Sequence, residues 1–361
     1  MTEKKLRLGI IGIGTWALMS HVPILKKIPR AEIVAICRRS EEALARAQAF
    51  LGVPEAYTDW REMLDKSEID AALVCTPHTA HLEPTLAALD RGLHVLIEKP
   101  ISLTSEDAWT IVRAAEQSDR ILTVAYGPRF TGAWRAAKAA VEEGAIGPIR
   151  QINVALSTFR RWLWGTEEIP AATREWVQAT AAAFSQRSGV PLDLMADWTH
   201  KDHWRRDPAQ FGGGTLVGVG THSVDLALWL AGAPAAQVVA FAESQGLPVE
   251  CFINVQARLA NGVLFSLTAA DIPEDSTRWS IYGDRGILTS ESGEVWIQRG
   301  GKRKKVEAAT PEMTPDGAFV ATVLDGAPNL CTAREGAYAV ALVEAAYLSA
   351  AEGRIVDVET P

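Results

Sequence analysis

The fold is decided by the stretch Leu6-Arg7-Leu8-Gly9-Ile10-Ile11-Gly12-Ile13-Gly14-Thr15-Trp16-Ala17. Its first six residues form a short apolar strand, and the glycines after it predict a tight turn into a helix. The turn lets a pyrophosphate approach the backbone, and the helix N-terminus attracts its negative charge. An ordinary turn is the alternative, but the position between a first strand and a helix favours a dinucleotide site. Its predicted contacts are Gly12, Gly14, Thr15 and Trp16.

Further apolar strands follow through the first third of the chain. They are predicted at residues 32–37, 69–75, 93–97 and 121–126, with helical stretches such as Leu82–Leu89 between them. Near-continuous apolar strands that alternate with helices indicate a parallel sheet covered on both faces. We therefore predict a Rossmann dinucleotide-binding domain over residues 1–125.

The last third of the chain has the pattern of β-hairpins. Asn261-Gly262 joins two alternating runs, and turns rich in glycine at 283–286 and 299–301 join two further pairs. Helices are predicted at 134–143, 222–230 and 333–351. The pattern predicts a second, α+β domain over residues 126–361 that contains an antiparallel meander.

Composition excludes several classes of protein. The 361 residues are 48% apolar and 22% charged, with a net charge of −8, which excludes disordered and collagen-like chains. An acidic surface argues against nucleic acid as the main partner, and no stretch is long enough for a membrane helix. The four cysteines form no C-x-x-C pair. We expect a cytoplasmic protein with no membrane or nucleic-acid partner.

The residues after the second strand bear on the choice of dinucleotide. NAD-binding domains commonly place an acid here, which binds the ribose 2′-hydroxyl. This chain has Arg38-Arg39-Ser40 instead, and two guanidinium groups with a hydroxyl suit a 2′-phosphate. The alternative is a solvated arginine pair in which Ser40 only caps the next helix. NADP(H) is favoured, and NAD(H) is possible.

Two polar motifs follow the third and fourth strands, at the sheet edge where open α/β sheets bind ligands. The first is Thr76-Pro77-His78 with the nearby His81, and the second is Glu98-Lys99-Pro100. A lysine at the end of a buried strand can polarise a carbonyl or transfer a proton. A surface lysine in a turn is the alternative.

A glycine-rich segment and a tryptophan-rich segment lie in the second domain. Gly212-Gly213-Gly214 precedes His222, which would begin a helix and could act as an acid or base near neutral pH. Residues 160–206 contain five tryptophans, which either stack on sugar faces or form a subunit contact. They are Trp162, Trp164, Trp176, Trp198 and Trp204. His200-Lys201-Asp202-His203 is too sparse to predict a metal site.

The ordered set of motifs resembles the glucose-fructose oxidoreductase / inositol dehydrogenase / MocA (Gfo/Idh/MocA) family over essentially the whole chain. The shared elements are Gly12-x-Gly14-x-x-Ala17, Thr76-Pro77, Gly92-Leu93-His94-Val95, Glu98-Lys99-Pro100, Arg129-Phe130, Gly144-x-Ile146-Gly147, Gly212-Gly213-Gly214 and Gly220-x-His222. The resemblance implies a Rossmann domain and an α+β domain with an open, mainly antiparallel sheet. A long meander with one uncovered face is expected to expose apolar surface that needs a partner, so we expect an oligomer. The resemblance implies the same, a homodimer or homotetramer built on that sheet.

The resemblance further implies the site. Lys99 and His222 match the family's catalytic lysine and histidine, while the family's aspartate is replaced by Gly218. Either His222 and Lys99 act without it, or another group fills its role, for which Tyr126, Asp197 and Asp202 are candidates. Arg129, His78, His81, Glu98, Lys99, Thr76 and Pro77 join the expected cofactor contacts. Lys99, Tyr126, Trp204 and His222 are the expected substrate contacts.

The leading interpretation is an NADP(H)-preferring oxidoreductase that transfers a hydride to or from a sugar, cyclitol or sugar derivative. An NAD(P)-dependent glycoside-cleaving relative is an alternative, because that chemistry also needs transient hydride transfer. A non-catalytic dinucleotide-binding regulator is a second alternative, and Gly218 is its best argument.

Overall fold

The computed structural model describes residues 4–164, 171–194, 203–291 and 293–361. Within them, a first sheet of six parallel strands has the order β3-β2-β1-β4-β5-β6, the order of a Rossmann domain. The strands are β1 (Leu6–Ile11), β2 (Ala31–Cys37), β3 (Glu55–Tyr57), β4 (Ala71–Val74), β5 (His94–Ile97) and β6 (Leu122–Val124). The predicted parallel sheet is confirmed, and β3 is an addition that the pattern did not indicate.

Helices cover both faces of this sheet, which explains its apolar strands. They are α1 (Val22–Leu25), α2 (Glu41–Leu51), α3 (Trp60–Lys66), α4 (Leu82–Asp90) and α5 (Ser105–Gln117). A π-helical turn, Ala17–His21, leads into α1. Ser40, Asp59 and Thr104 cap the N-termini of α2, α3 and α5 by accepting a backbone N–H, as small polar residues at these positions do.

The second sheet has nine strands among the described residues, in the order β14-β13-β12-β11-β7-β10-β9-β8-β15. They are β7 (Ile149–Thr158), β8 (Ala235–Glu243), β9 (Phe252–Leu259), β10 (Leu264–Asp271), β11 (Ser276–Gly283), β12 (Gly286–Glu291), β13 (Glu294–Arg299), β14 (Lys302–Lys305) and β15 (Val356–Asp357). All three predicted hairpins are present. Among the strand pairs described in this second sheet, only β7 and β10 run parallel, so the sheet is mainly antiparallel.

Helices pack on one face of the second sheet. The helices of this part of the chain are α6 (Gly132–Glu142), α7 (Ala171–Ser188), α8 (Pro208–Phe211), α9 (Thr221–Ala231), α10 (Pro315–Asp325) and α11 (Ala333–Glu352). A second π-helical turn, Leu216–Gly220, leads into α9. In the described part of the chain no helix is long and apolar enough to cross a membrane.

The opposite face of the second sheet is exposed and mostly polar. Side chains alternate along β9 and β10, where buried apolar residues face the helices and residues such as Gln256 and Thr268 face outward. The apolar surface expected on this face is limited to scattered side chains, of which Phe241 (73% exposed), Leu264 (46%) and Tyr282 (38%) are the largest. The face is therefore less apolar than the sequence pattern suggested.

The C-terminal helices return to the first domain. The backbone N–H of Val124 in β6 donates to the carbonyl of Cys331, at 2.9 Å, just before α11 begins. Phe319 and Val320 of α10 belong to the buried core beneath β1 and β5. Residues 311–352 thus complete the first domain as well as the second, which a division of the chain at residue 126 does not capture.

A buried ion pair joins the start of the second domain to α9 and α11. Arg129 has a fully buried side chain, and its guanidinium donates to both carboxylate oxygens of Asp225 at 2.7 Å. It also donates to Glu335 and to the carbonyl of Leu330. Because its donors are taken up inside the protein, Arg129 stabilises the fold, and we remove it from the expected contacts of the dinucleotide.

We expect Asp225→Asn to destabilise the protein by up to about 3–5 kcal/mol, because the variant removes the fully buried carboxylate from the Arg129 cation and leaves only the partly exposed Glu335 to pair with it. The measurement is the free energy of unfolding in urea. Asp284→Asn is the matched control, since Asp284 pairs with Arg150 at the surface with the same 2.7 Å contacts, and it should change little. Equal effects of the two substitutions would contradict the structural role of Arg129.

Candidate functional site

The glycine turn lies at the carboxyl end of β1 and fits a dinucleotide. Gly12 has φ +90°, and a Cβ there would lie 2.7 Å from the carbonyl oxygen of Cys75, so only glycine is accommodated. A Cβ on Gly14 would meet nothing closer than 4.0 Å, which leaves its backbone open to a ligand. The hydroxyl of Thr15 is buried without a hydrogen-bond partner in the structure. The turn therefore offers an open backbone and an unsatisfied hydroxyl at a helix N-terminus.

The arginine pair lies beside this turn. Nη1 of Arg38 donates to the carbonyl of Ile13 at 3.4 Å, which places the guanidinium next to the glycine turn. Arg39 is exposed at the same edge. Ser40 accepts the backbone N–H of Ala43 and caps α2, and the residue is exposed at the same edge.

The histidines after β4 are buried. Both ring nitrogens of His81 lie within 3.0 Å of backbone carbonyls, those of Pro100 and Thr76, and its side chain is fully buried. His81 therefore joins two loops and is not a ligand contact. His78 contacts the carbonyl of Phe211 through Nδ1, at 2.9 Å. Thr76 and Pro77 are half-buried at the sheet edge, close to the glycine turn.

The carboxylate of Glu98, at the end of β5, is engaged inside the protein. Its Oε1 accepts Nε1–H of Trp16 and Nε2–H of His21, each at 2.8 Å, and its Oε2 accepts the backbone N–H of Lys99 at 3.1 Å. Burial raises its pKa, but the hydrogen bond and charge of His21 outweigh burial and bring the pKa to about 2. The Glu98 carboxylate therefore joins the Trp16 side chain of the glycine turn to the backbone of Lys99. Neither Glu98 nor the side chain of Trp16 faces the dinucleotide.

Lys99 projects from the first domain toward the second. Its Nζ donates to the backbone carbonyl of Gly218, at 2.9 Å, in the π-helical turn before α9. Burial, with Arg205 and Arg160 nearby, lowers the pKa of Lys99 to about 8, and Glu98 partly opposes that shift. Lys99 is therefore mostly protonated at neutral pH and can give up its proton just above it.

His222 lies in the first turn of α9, half-buried, with its Nδ1 unpartnered in the structure. Burial, reinforced by the charge of Lys99, holds the pKa of His222 well below its usual range. Its imidazole is consequently neutral at pH 7 and can accept a proton. Tyr126 packs edge-on to it at 5.8 Å between ring centroids. The Tyr126 hydroxyl is buried on that of Thr221, at 2.9 Å, which contradicts its expected contact with substrate.

Phe211 fills the space beside Gly218. A Cβ on Gly218 would lie 3.3 Å from the Phe211 ring, so a side chain fits here only if that ring shifts by a few tenths of an ångström. Tyr126 cannot replace the missing aspartate, because its hydroxyl faces away into the core. Asp197 and Asp202 lie outside the described residues.

Aromatic rings surround Phe211. Its ring centroid lies 5.1 Å from that of His78, 5.8 Å from Trp204 and 5.7 Å from Trp164. Trp164 is buried and donates to the carbonyl of Arg205, whereas Trp204 is half-buried and remains a candidate substrate contact. Trp198 and His200 lie outside the described residues, as do the side chains of Trp162 and Trp176. Helix α7 packs on the first domain through Phe184.

The glycines at 213 and 214 are required by close packing against neighbouring groups. A Cβ on Gly213 would overlap the Tyr347 hydroxyl, and one on Gly214 would overlap the backbone of Glu250. The buried Glu250 carboxylate accepts the N–H groups of Gly214 and Leu216 at 2.7 and 2.8 Å. The segment is thereby fixed against the sheet, and it sets the place of Gly218 and His222.

Sequence reasoning did not identify His21, Phe211 or Glu250. His21 stands four residues after the glycine motif, and a histidine inside an apolar helix was a signal that could have drawn attention to it. Phe211 and Glu250 gave none, because each acts through a contact distant in sequence. Among the described residues, no three potential metal ligands lie together.

Comparisons with known proteins identify the family of the chain. A family model described as "Oxidoreductase family, NAD-binding Rossmann fold" matches residues 6–126, and its partner, "Oxidoreductase family, C-terminal alpha/beta domain", matches residues 190–358. The chain is 24% identical over 367 residues to the 1,5-anhydro-D-fructose reductase of Ensifer adhaerens, covering 98% of this chain and 99% of that protein. It is 24% identical to the scyllo-inositol 2-dehydrogenase (NADP(+)) of Bacillus subtilis, covering 98% and 96%.

Solved structures share the fold over the whole chain. The aldose-aldose oxidoreductase of Caulobacter crescentus, complexed with glycerol, has a TM-score of 0.79 at 22% identity and covers 98% of this chain and 100% of that one. A levoglucosan dehydrogenase in complex with NADH has a TM-score of 0.78 at 20% identity and covers 99% and 100%. With both family models matched in order, the chain belongs to the Gfo/Idh/MocA family of NAD(P)-dependent oxidoreductases.

Proposed function

We propose that this protein is an NADP(H)-preferring oxidoreductase that interconverts a hydroxyl and a carbonyl group on a sugar, a cyclitol or a derivative of either. The observation that carries the proposal is the meeting of Lys99 and the His222 segment at the sheet edge that also holds the glycine turn. Relatives that match nearly the full chain are named as a reductase of an anhydrosugar and a dehydrogenase of an inositol.

The residues of the chain divide the chemistry between them. When bound, the nicotinamide supplies or accepts the hydride. His222 is neutral at pH 7 and takes the hydroxyl proton in the oxidative direction, returning it in the reductive one. Lys99 is mostly protonated below its pKa of about 8 and stabilises the negative charge that develops on the substrate oxygen.

Binding of the dinucleotide is assigned to the turn and its neighbours. Gly12, Gly14 and Thr15 bind the pyrophosphate through the open backbone and the helix N-terminus. Arg38 and Arg39 bind the 2′-phosphate, supported by the contact of Arg38 with the glycine turn and by the absence of an acid in Arg38-Arg39-Ser40. Trp204, half-buried beside His78, packs on the substrate.

We expect Arg38→Asp to reverse the preference between the two dinucleotides. The new carboxylate repels a 2′-phosphate and offers an acceptor to a 2′-hydroxyl. Fluorescence titration of wild type and variant with NADPH and NADH measures both affinities. Arg46→Asp, which makes the same charge change within α2, should leave the preference as it is. Equal affinities of the wild type for NADPH and NADH would contradict the assignment.

We expect His222→Ala to lower hydride transfer about a hundredfold or more, the usual contribution of a positioned acid or base. Lys99→Ala should cost a similar factor, because it removes the charge that stabilises the oxyanion. Single-turnover transfer with a responsive sugar is the measurement, and dinucleotide affinity should change less than turnover in His222→Ala. His94→Ala, at the opposite end of β5, is the control.

Two outcomes of that experiment favour the alternatives. Cleavage of a glycoside without net turnover of the dinucleotide indicates the glycoside-cleaving reading. Tight binding of the dinucleotide with neither reaction, in wild type, indicates a regulator. Near-normal transfer in His222→Ala would mean that another group is the acid or base.

We further propose a homodimer or homotetramer formed through the exposed face of the second sheet. A nine-stranded sheet with one open face is a large surface on which Phe241, Leu264 and Tyr282 are exposed. Light scattering at working concentration should give two or four times the 39.0 kDa of the chain. A single monomeric species would contradict this proposal, and Phe241→Lys should weaken the assembly by placing a charge in the interface.

A further inference from the structure

A buried line of alternating charges runs from α10 to the end of β5. Nδ1–H of His21 donates to Oδ1 of Asp316 at 2.8 Å, and Nε2–H donates to Oε1 of Glu98 at 2.8 Å. The side chains of His21 and Asp316 are only 3% and 2% exposed. Asp316 lies in the first turn of α10, where the helix N-terminus stabilises its negative charge.

The two contacts of His21 fix its protonation. Each ring nitrogen faces a carboxylate oxygen, which only accepts, so both nitrogens carry a proton and the ring is a cation. Burial alone would lower the pKa of His21, but Asp316 and then Glu98 overcome burial and raise it to about 10. His21 is consequently charged over the whole neutral range.

The carboxylate that His21 holds is the common partner of two functional elements. Oε1 of Glu98 also accepts the indole N–H of Trp16 in the glycine turn, and Oε2 accepts the backbone N–H of Lys99. A displaced Glu98 would release both elements together. The His21 side chain donates to Asp316 and Glu98, and among the described residues no hydrogen bond joins that side chain to the glycine turn or to Lys99.

We propose that His21 is a positioning residue: its cation, fixed by Asp316, holds the Glu98 carboxylate in place. Through its own hydrogen bonds, Glu98 then fixes the position of the glycine turn at Trp16 and the position of Lys99. The part that concerns Lys99 rests on the proposed function. The part that concerns Trp16 needs only that the turn binds a dinucleotide.

The charge of His21 matters because Glu98 is buried. Burial pushes the pKa of Glu98 upward, and the contact with His21 is the strongest effect that opposes it. The other charged or titratable groups that act on Glu98 or feel its charge are Lys99, Arg205, Cys75, His81 and His222. Without the His21 cation, Glu98 takes up a proton as the pH falls through its raised pKa, whereas in the wild type it stays ionised down to about pH 2.

Two substitutions separate the hydrogen bond from the charge. The amide of His21→Gln reaches the Nε2 position and can still donate to Glu98, but it is neutral. The shorter amide of His21→Asn reaches the Nδ1 position and can bond only to Asp316. NADPH affinity is measured from pH 5 to pH 8 and expressed relative to wild type, which removes the titration of the ligand itself.

We expect His21→Asn to weaken NADPH binding at least tenfold at every pH. His21→Gln should lie within about threefold of wild type at pH 8 and lose at least tenfold as the pH falls to 5. His94→Gln is the control, because His94 is a histidine at the start of β5, the strand that leads into Glu98. This variant should follow the wild type throughout. A merely structural histidine would lower the melting temperature in both variants without the pH-dependent loss. Should His21→Asn fail to fold, the pH arm of His21→Gln decides alone.

A double-mutant cycle tests the route through Glu98. If His21 acts through Glu98, adding His21→Asn to Glu98→Gln should weaken binding no further than Glu98→Gln alone. Multiplying effects would overturn the route, and unchanged NADPH binding in both His21 variants at every pH would overturn the inference whatever reaction the protein performs. In the protein without ligand, the ring nitrogens of His21 should show double protonation by ¹⁵N NMR up to pH 9, and a neutral ring at pH 8 would also overturn it.

Failure of the proposed function gives a different pattern. One outcome is that no carbohydrate is turned over while the His21 variants change NADPH binding as expected. That result supports the positioning of the glycine turn by His21 and contradicts the catalytic role of Lys99. If hydride transfer is normal and His21 has no effect on it or on binding, the proposed function stands and this inference falls.

Discussion

The rest of the site depends on one buried carboxylate, that of Glu98, which directly follows the carboxyl end of β5 in the first sheet. A parallel sheet brings the ends of its strands to one edge, and the strands there carry the glycine turn, the arginine pair, Thr76-Pro77 and Glu98-Lys99-Pro100. Glu98 ties the turn to the lysine. A buried charge of this kind is tolerated only when it is fully hydrogen-bonded, and its three donors meet that condition.

The candidate site is completed where the second domain meets this edge. The Glu250 carboxylate and Tyr347 shape the triple glycine, which leads through a π-helical turn to His222. Single π-helical turns are often found at functional sites. Here one precedes α1, after the glycine turn, and another precedes α9, the helix that begins next to His222. Where the family has an aspartate, the chain offers Lys99 a backbone carbonyl and packs Phe211 alongside. The carbonyl accepts a hydrogen bond from Nζ of Lys99, and burial, with Arg205 and Arg160 nearby, lowers the pKa of Lys99 to about 8.

The features that could be predicted from the sequence are those determined by interactions between residues close together in the chain. The strand alternation, the Asn261-Gly262 hairpin, the glycine turn and the lysine at a strand end all follow from residues adjacent in sequence. Contacts between distant residues could not be read in the same way. Arg129 was assigned to the site from a shared motif and Tyr126 as a candidate for the role of the missing aspartate. Both side chains are buried in the core, where each bonds to a partner about a hundred residues away. His21 meets Asp316 across 295 residues, which no periodicity reveals.

The central claim is that this chain moves a hydride between a nicotinamide and a carbohydrate carbon, and deuterium transfer tests it most directly. NADPH that carries deuterium at both C4 positions is incubated with the protein and a panel of aldoses, ketoses and inosose-type cyclitol ketones, and the products are examined by mass spectrometry. The account predicts one deuterium on the carbon of the new hydroxyl group for each NADPH oxidised. Bound NADPH that passes no label to any carbonyl compound in the panel would contradict it.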